Sequence, residues 1–540
     1  MHRFEYWMPY VQAEFCDRQF VNLLGLVRID NEGGGAKETD GCLSIQFLYS
    51  GSDNSVVQNI GTMPGTVVVA GGGISGLAAC YHLVKSGSVP KVILVEGSSR
   101  LGGWLNSTRT DDGAVFEHGP RGIRPAGVVG KNTLSMVSEL GLDSEVLPVK
   151  GDHSASKNRY LYIRNTLHKL PSGLWGVLKT VPPFTKPLVW CGLRDLTARR
   201  GTLPDESIHS FVTRRFGKEL ADIAIDSLCR GVFAGDCRAL SLRACFPMLY
   251  NAEQKRRSVI LGMALGGGGT PQQDSSLIRR AKEENWSQWS LQNGMQTLAE
   301  AMEEFLKQHG VEIHKDSPLT GLERTPDNGW KVLLPGGSLR AAHVISAVPA
   351  RALSQVVPAS LDPVAVELRQ IDAVTVAVVN LQYEGDILPV SGFGHLVPSF
   401  EDGALLGIVY DSIAFPEQNR TGALSTRLTV MLGGAWFEKD VGDPNQVSHE
   451  QLLLRATKAV KNHLGVHGKP SRAIVKLHKD CIPQYTLGHW KRTDNMFQYL
   501  EQNAVPLSLI GASFEGVSVN DCIYNARKAV ERLLGQKQVP

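Results

Sequence analysis

The stretch from Thr66 to Leu83 leaves this chain few ways to fold. Thr66–Val69 is a β-branched run of the kind that makes a buried strand. Gly71, Gly72, Gly73, Ile74, Ser75 and Gly76 follow, with glycines in the G-x-G-x-x-G pattern, and Ala78–Val84 then has helical character. Gly71 permits the tight turn, Gly73 lets backbone approach a pyrophosphate, and Gly76 lets the helix lie on its strand. The helix start offers free N–H groups and a positive dipole end to phosphates. A second strand over Lys91–Glu96 ends on an acid twenty residues beyond Gly76. A carboxylate there can accept hydrogen bonds from an adenosine ribose. A glycine-rich turn in an ordinary α/β protein is the competing reading, but strand, helix and acid standing together argue for a bound dinucleotide.

At 540 residues the chain is too long for one core, so two or three domains are expected. The apolar share of 42% and charged share of 20% are globular values. A net charge of +3 argues against a nucleic-acid binder. The nine cysteines form no C-x-x-C pair, which suits free thiols in a reducing setting, and no metal spacing is present. No apolar run reaches the roughly 18 residues of a spanning helix. Residues 1–62 carry four Lys/Arg against eight Asp/Glu, the reverse of a mitochondrial transit peptide. They read as an atypical, disordered extension, with Met63 as the functional start; a small regulatory tail is the alternative.

Along the chain the pattern divides into an α/β dinucleotide domain interrupted by two others. Its parts are 63–152, 267–349 and 501–540. Between them lie a helical membrane-contact domain, 153–266, and an α+β substrate domain, 350–500. Trp175, Phe184 and Trp190 stand near Lys179, Lys186, Arg194, Arg199 and Arg200, a mixture suited to lying on a membrane surface. Ser207–Cys229 has amphipathic helical spacing, and Gly294–Gly310 reads as a helix. Strands are predicted at Tyr160–Ile163, Trp330–Leu334, His343–Pro349, Val374–Leu381, Leu406–Asp411 and Arg427–Leu432. Arg121 sits at the tip of a Gly119-Pro120-Arg121-Gly122 turn, either as a surface charge or near a flavin or acidic substrate.

Ser99–Trp104 resembles the R-x-G-G element that follows the ribose acid in the flavin amine oxidase and phytoene desaturase superfamily. Five further segments extend the likeness: Gly71–Ala79, Phe116–Pro125, Asp226–Gly235, Cys481–Trp490 and Gly511–Asp521. Together they resemble the protoporphyrinogen oxidase family, of the mitochondrial animal type, from Met63 almost to the C-terminus. The resemblance implies one non-covalent FAD per subunit and oxidation of protoporphyrinogen IX to protoporphyrin IX. Six electrons leave the macrocycle, and three molecules of oxygen become hydrogen peroxide. It also implies a homodimer lying peripherally on the intermembrane-space side of the mitochondrial inner membrane, with hand-over of product to ferrochelatase possible. For FAD it suggests Gly71 to Gly76, Glu96, Trp104, Gly119, Pro120, Arg121, Gly122, Leu319, Ala512, Val517, Ser518 and Val519. For the substrate it suggests Arg159 toward a propionate, with Leu228, Gly231, Phe393, Gly394, Leu396 and Met431 around the tetrapyrrole and Arg121 as a second cation. No acid/base pair is assigned. A flavin amine oxidase, a carotenoid-type desaturase and a non-catalytic flavin-binding scaffold are the rival readings.

Overall fold

Val67, Val68 and Val69 are fully buried because both faces of their sheet are covered. The computed structural model describes residues 65–171, 173–264 and 275–535, so the expectations for the extension at 1–62 lie outside the described residues. The sheet has five parallel strands in the order Leu507–Leu509, His343–Ser346, Thr66–Ala70, Lys91–Val95, Glu312–His314. Its strands come from the start, middle and end of the described chain. Helices Ile74–Ser86, Gln296–Gln308 and Val519–Leu533 cover one face through Leu77, Leu83, Leu298, Met302, Ile523 and Ala526. On the other face lie the antiparallel strands Gly321–Arg324, Trp330–Leu334 and Gly337–Ala341. Helices Asp362–Arg369 and His489–Gln502 pack there too, burying Val364, Leu368, Met496 and Leu500 against Val68 and Ile93. Both helices were read from sequence as part of the 350–500 substrate region; their apolar stripes join the nucleotide sheet instead.

A second sheet has seven strands in the order Arg472–Pro483, Ala373–Glu384, Ser425–Gly433, Leu405–Val409, Gly394–Leu396, Tyr160–Ile163, Thr166–Lys169. All neighbours are antiparallel except Gly394–Leu396 with Tyr160–Ile163. The last two strands fall inside the 153–266 segment read as a helical domain; Tyr160–Ile163 is a strand as the sequence suggests, but its sheet partner Gly394–Leu396 comes from far along the chain. Helix His449–Leu464 covers one face, with Leu452, Ala456 and Val460 against Val379 and Val430. The other face holds a smaller apolar cluster of Val376, Val378, Leu406 and Met431 with Ala234.

The helical insert has its own core, including Phe211, Phe216, Leu228, Phe233, Phe246 and Leu249. The Ser207–Cys229 periodicity resolves into Ile208–Arg215, a short turn, a π-helical turn over Ala221–Ile225, and Asp226–Phe233. Fully buried Arg215 is held by Asp195 and Glu253, each at 2.5 Å, so the buried cation keeps its counter-charges. Phe184, grouped from sequence with the membrane-facing aromatics, is only 5% exposed and belongs to this core. Trp175 and Trp190 are 73% and 59% exposed. Among the described residues no helix is long and apolar enough to cross a membrane.

Candidate active site

The glycine pattern proves to be a set of steric requirements. Gly71 has φ +100°, and a Cβ there would stand 3.0 Å from the Ala347 carbonyl carbon. A Cβ on Gly76 would fall 1.8 Å from the Gly71 carbonyl oxygen. Helix Ile74–Ser86 starts at Gly73 with no side-chain cap and no acid in its first turn, so its positive end is left for an anion. The Gly72 N–H donates to Glu96 Oε2 at 2.6 Å, while Ser98 donates its N–H and hydroxyl to Oε1 at 2.8 and 2.7 Å. Gly102 N–H donates to the Gly72 carbonyl at 2.8 Å, laying the second glycine element across the first. Arg100 secures that turn by donating to the carbonyls of Leu101 and Leu105, both at 3.1 Å, and of Gly103.

The remaining proposed dinucleotide residues gather at the carboxyl ends of the same sheet, where open α/β sheets bind ligands. A Cβ on Gly119 would lie 2.0 Å from the Trp104 carbonyl oxygen, so the Gly119–Gly122 turn and Trp104 pack backbone to backbone. Leu319 follows a loop tied to Glu96 by Ser317 N–H donating to its carbonyl at 2.8 Å. Ser518 caps helix Val519–Leu533 in a reciprocal box with Asp521, whose carboxyl burial raises to about 7. Ala512 and Val517 lie in the loop leading to that cap, and Val517 packs against the helical insert. An uncapped helix start, close-packed glycine backbone and a ribose-type acid fit a dinucleotide.

The proposed substrate residues converge at one end of the seven-stranded sheet. His395 pairs with Tyr160 in parallel, which brings Arg159 level with Gly394. Phe393 N–H donates to the Asn158 carbonyl at 3.1 Å. Leu228 and Gly231 share one face of helix Asp226–Phe233. A Cβ on Gly231 would come 2.7 Å from Leu396 Cδ2, so its absence lets helix and sheet approach. Leu396 pairs with Gly407 and Gly407 with Met431, placing Leu396 and Met431 on one row. Gly394, with φ +151°, would drive a Cβ to 2.4 Å from the Ile408 carbonyl oxygen. Arg159 is half-buried, burial pushes its guanidinium below its ordinary value, and it has no carboxylate partner among the described residues.

Arg121 differs from the sequence expectation of a turn-tip cation. It is 7% exposed, and its Nη1 donates to Asp411 Oδ1 at 2.6 Å. The other Asp411 oxygen accepts from the Thr429 hydroxyl at 2.6 Å, and Asn380 donates to the same hydroxyl oxygen at 2.8 Å. Asn380 also donates to the Glu117 carbonyl at 2.9 Å and faces His118 Nδ1 at 2.9 Å. Burial lifts the Glu117 carboxyl to about 7 and lowers His118 to about 4. This chain of buried groups ties the Phe116–Pro125 segment to the substrate sheet. Asp411, Thr429 and Asn380 gave no local sequence signal, because each matters only through a partner on another strand. Asp226, Asp236 and Cys237 also cluster, but Arg238 lies 3.1 Å from Asp226 and 3.6 Å from Asp236, so the cluster already has its cation.

Residues 74–534 match the family described as flavin containing amine oxidoreductase. Within it, the chain is 57% identical over 471 residues to the protoporphyrinogen oxidase of Bos taurus, covering 87% of this chain and 98% of that protein. The chain belongs to the protoporphyrinogen oxidase family. The Homo sapiens protoporphyrinogen oxidase is 56% identical with the same coverage. A solved structure from Exiguobacterium sp. 255-15, described as a candidate protoporphyrinogen oxidase, superposes with a TM-score of 0.71. That likeness has 22% identity, covers 88% of this chain and 100% of the other, and speaks to the fold. A protoporphyrinogen oxidase is a flavin enzyme of haem synthesis, and the glycine cradle is where this chain can hold its flavin. The family match takes in Arg159, the Gly231 helix and the Gly119–Gly122 turn.

Proposed function

We propose that the chain binds FAD non-covalently and oxidises protoporphyrinogen IX to protoporphyrin IX, with oxygen consumed and peroxide released. FAD, when bound, supplies the acceptor for the hydride equivalents that leave the macrocycle. The observation that carries the substrate assignment is Arg159, a half-buried cation with no carboxylate partner among the described residues, level with Gly394 and so two residues from Leu396 in its apolar row with Met431. An apolar disc with propionates on one edge fits such a surface, and a planar guanidinium can grip a carboxylate by both oxygens. No acid or base is assigned toward the ring, and on this reading its protons leave from the substrate's own pyrrole nitrogens. Against covalent flavin attachment, Cys522 is buried inside helix Val519–Leu533 and burial pushes its thiol up to about 12. The deciding experiment feeds protoporphyrinogen IX to flavin-loaded protein and follows porphyrin fluorescence and peroxide together. Three peroxides per porphyrin are expected; fluorescence rising no faster than without enzyme overturns the reading.

The same reading places the protein peripherally on the intermembrane-space side of the mitochondrial inner membrane, as a homodimer. Exposed Trp175, Leu178, Trp190, Leu193, Leu196 and Leu203 all belong to the helical insert, near Lys179, Lys186, Arg194 and Arg199. Apolar side chains interleaved with basic ones bind anionic bilayer surfaces by burial and charge together. The double variant Trp175→Ser, Trp190→Ser should therefore move protein from membrane to soluble fractions on vesicles rich in anionic lipid, with the flavin spectrum unchanged. Phe184 is left intact, since its removal would hollow the core. Undiminished vesicle binding by the double variant would place the contact elsewhere.

A further inference from the structure

Cys481–Trp490 leaves the end of strand Arg472–Pro483 and runs between three parts of the molecule. Three of its side chains each hold a backbone carbonyl of a different neighbour or of the same loop at a second point. Gln484, buried, donates from Nε2 to the Phe233 carbonyl at 2.9 Å, at the end of the helix that carries Leu228 and Gly231. Its Oε1 takes the space beside Gly235, where a Cβ would lie 2.3 Å away. Tyr485 is fully buried and its ring belongs to the core of the helical insert. Its carbonyl accepts the Ser241 N–H at 2.8 Å, and its hydroxyl donates to the Ala512 carbonyl at 2.6 Å. His489 stacks on that ring, with centroids 4.0 Å apart and planes 15° from parallel. Its Nε2 donates to the Phe514 carbonyl at 3.0 Å, while Nδ1 is buried without a partner. Burial lowers this imidazole to about 4, so the ring is neutral and its single proton sits on Nε2.

We propose that Gln484, Tyr485 and His489 form a strap that fixes loop Gly511–Ser518 against the substrate helix, and so set the spacing between flavin and macrocycle. They are positioning residues: none is assigned to touch substrate. The inference rests on the proposed function, in which this loop faces the flavin. Its physical basis is that two buried donors hold carbonyls two residues apart, at Ala512 and Phe514, which leaves the loop little freedom to shift. Tyr485 is at the same time locked into the helical insert, so the loop and the substrate helix are registered through one side chain. A misplacement of an ångström in such a site is enough to cost about a hundredfold in rate.

The test uses the full-length holoenzyme and Tyr485→Phe, which keeps the ring in its core and deletes only the hydroxyl. Anaerobic mixing with protoporphyrinogen IX should show flavin reduction slowed about tenfold or more with KM within twofold of the parent. Titration of the apoprotein should show the FAD dissociation constant raised about fivefold, and the visible flavin band should shift. His489→Gln retains an N–H donor toward Phe514 and should recover most of the reduction rate that His489→Ala loses. If Tyr485→Phe lowers the melting temperature while reduction rate, FAD affinity and flavin band stay at parental values, the residue is structural and the strap is wrong. Equal rates for His489→Gln and His489→Ala overturn it as well. A parent enzyme that protoporphyrinogen does not reduce overturns the proposed function instead, and FAD affinity and the flavin band still report on the strap.

Discussion

Gly76→Ala abolishes flavin retention: the purified variant is expected to carry less than about a tenth of the parental flavin. The added Cβ would lie 1.8 Å from the Gly71 carbonyl oxygen and 3.1 Å from its carbon. Both are backbone atoms of the tight turn, so no flexible side chain can move aside. The helix has to lift from its strand, and overpacking of this kind costs about 1–3 kcal/mol. Lifting also withdraws the first helical N–H groups from the phosphates they are placed to meet. Gly337→Ala is the matched control, because a Cβ there meets nothing within 4 Å. Flavin released by denaturation and quantified by absorbance decides the matter; a full complement in Gly76→Ala would show that the turn tolerates a side chain.

Arg159→Ala should raise KM about tenfold or more while leaving flavin content unchanged. A charge-assisted hydrogen bond contributes about 1.5–3 kcal/mol, which covers that range. Arg159→Lys should recover only part of the loss, since an ammonium lacks the planar fork. Steady-state kinetics on flavin-replete protein gives the answer, and a parental KM in Arg159→Ala would remove the residue from substrate binding. Arg121 cannot simply take over, because Asp411 neutralises it at 2.6 Å in a buried site. Removing Arg121 would leave Asp411 buried without its counter-charge, so that variant reports on stability as much as on substrate.

What the sequence determined by itself was the part of the molecule governed by local sterics. The turn at Gly71, the helix-on-strand contact at Gly76 and the offset to Glu96 follow from backbone that no other residue type fits, so spacing alone exposed them. The strands at Trp330–Leu334 and His343–Ser346 were equally readable, because their β-branched and aromatic content has one local solution. Tertiary structure decided everything that depends on a distant partner. Phe184 turned inward while Trp175 and Trp190 stayed outside, although all three share the same kind of sequence neighbourhood. Tyr160–Ile163 was legible as a strand, but its parallel partner Gly394–Leu396 was not. Arg121 changed from a turn-tip charge to a buried ion pair because a strand end delivers Asp411 to it, and Tyr485 gained its place because the loop carbonyl of Ala512 comes within hydrogen-bond reach. Burial, charge pairing and hydrogen bonding act between groups that the fold brings together, and a local pattern holds no record of which groups those are.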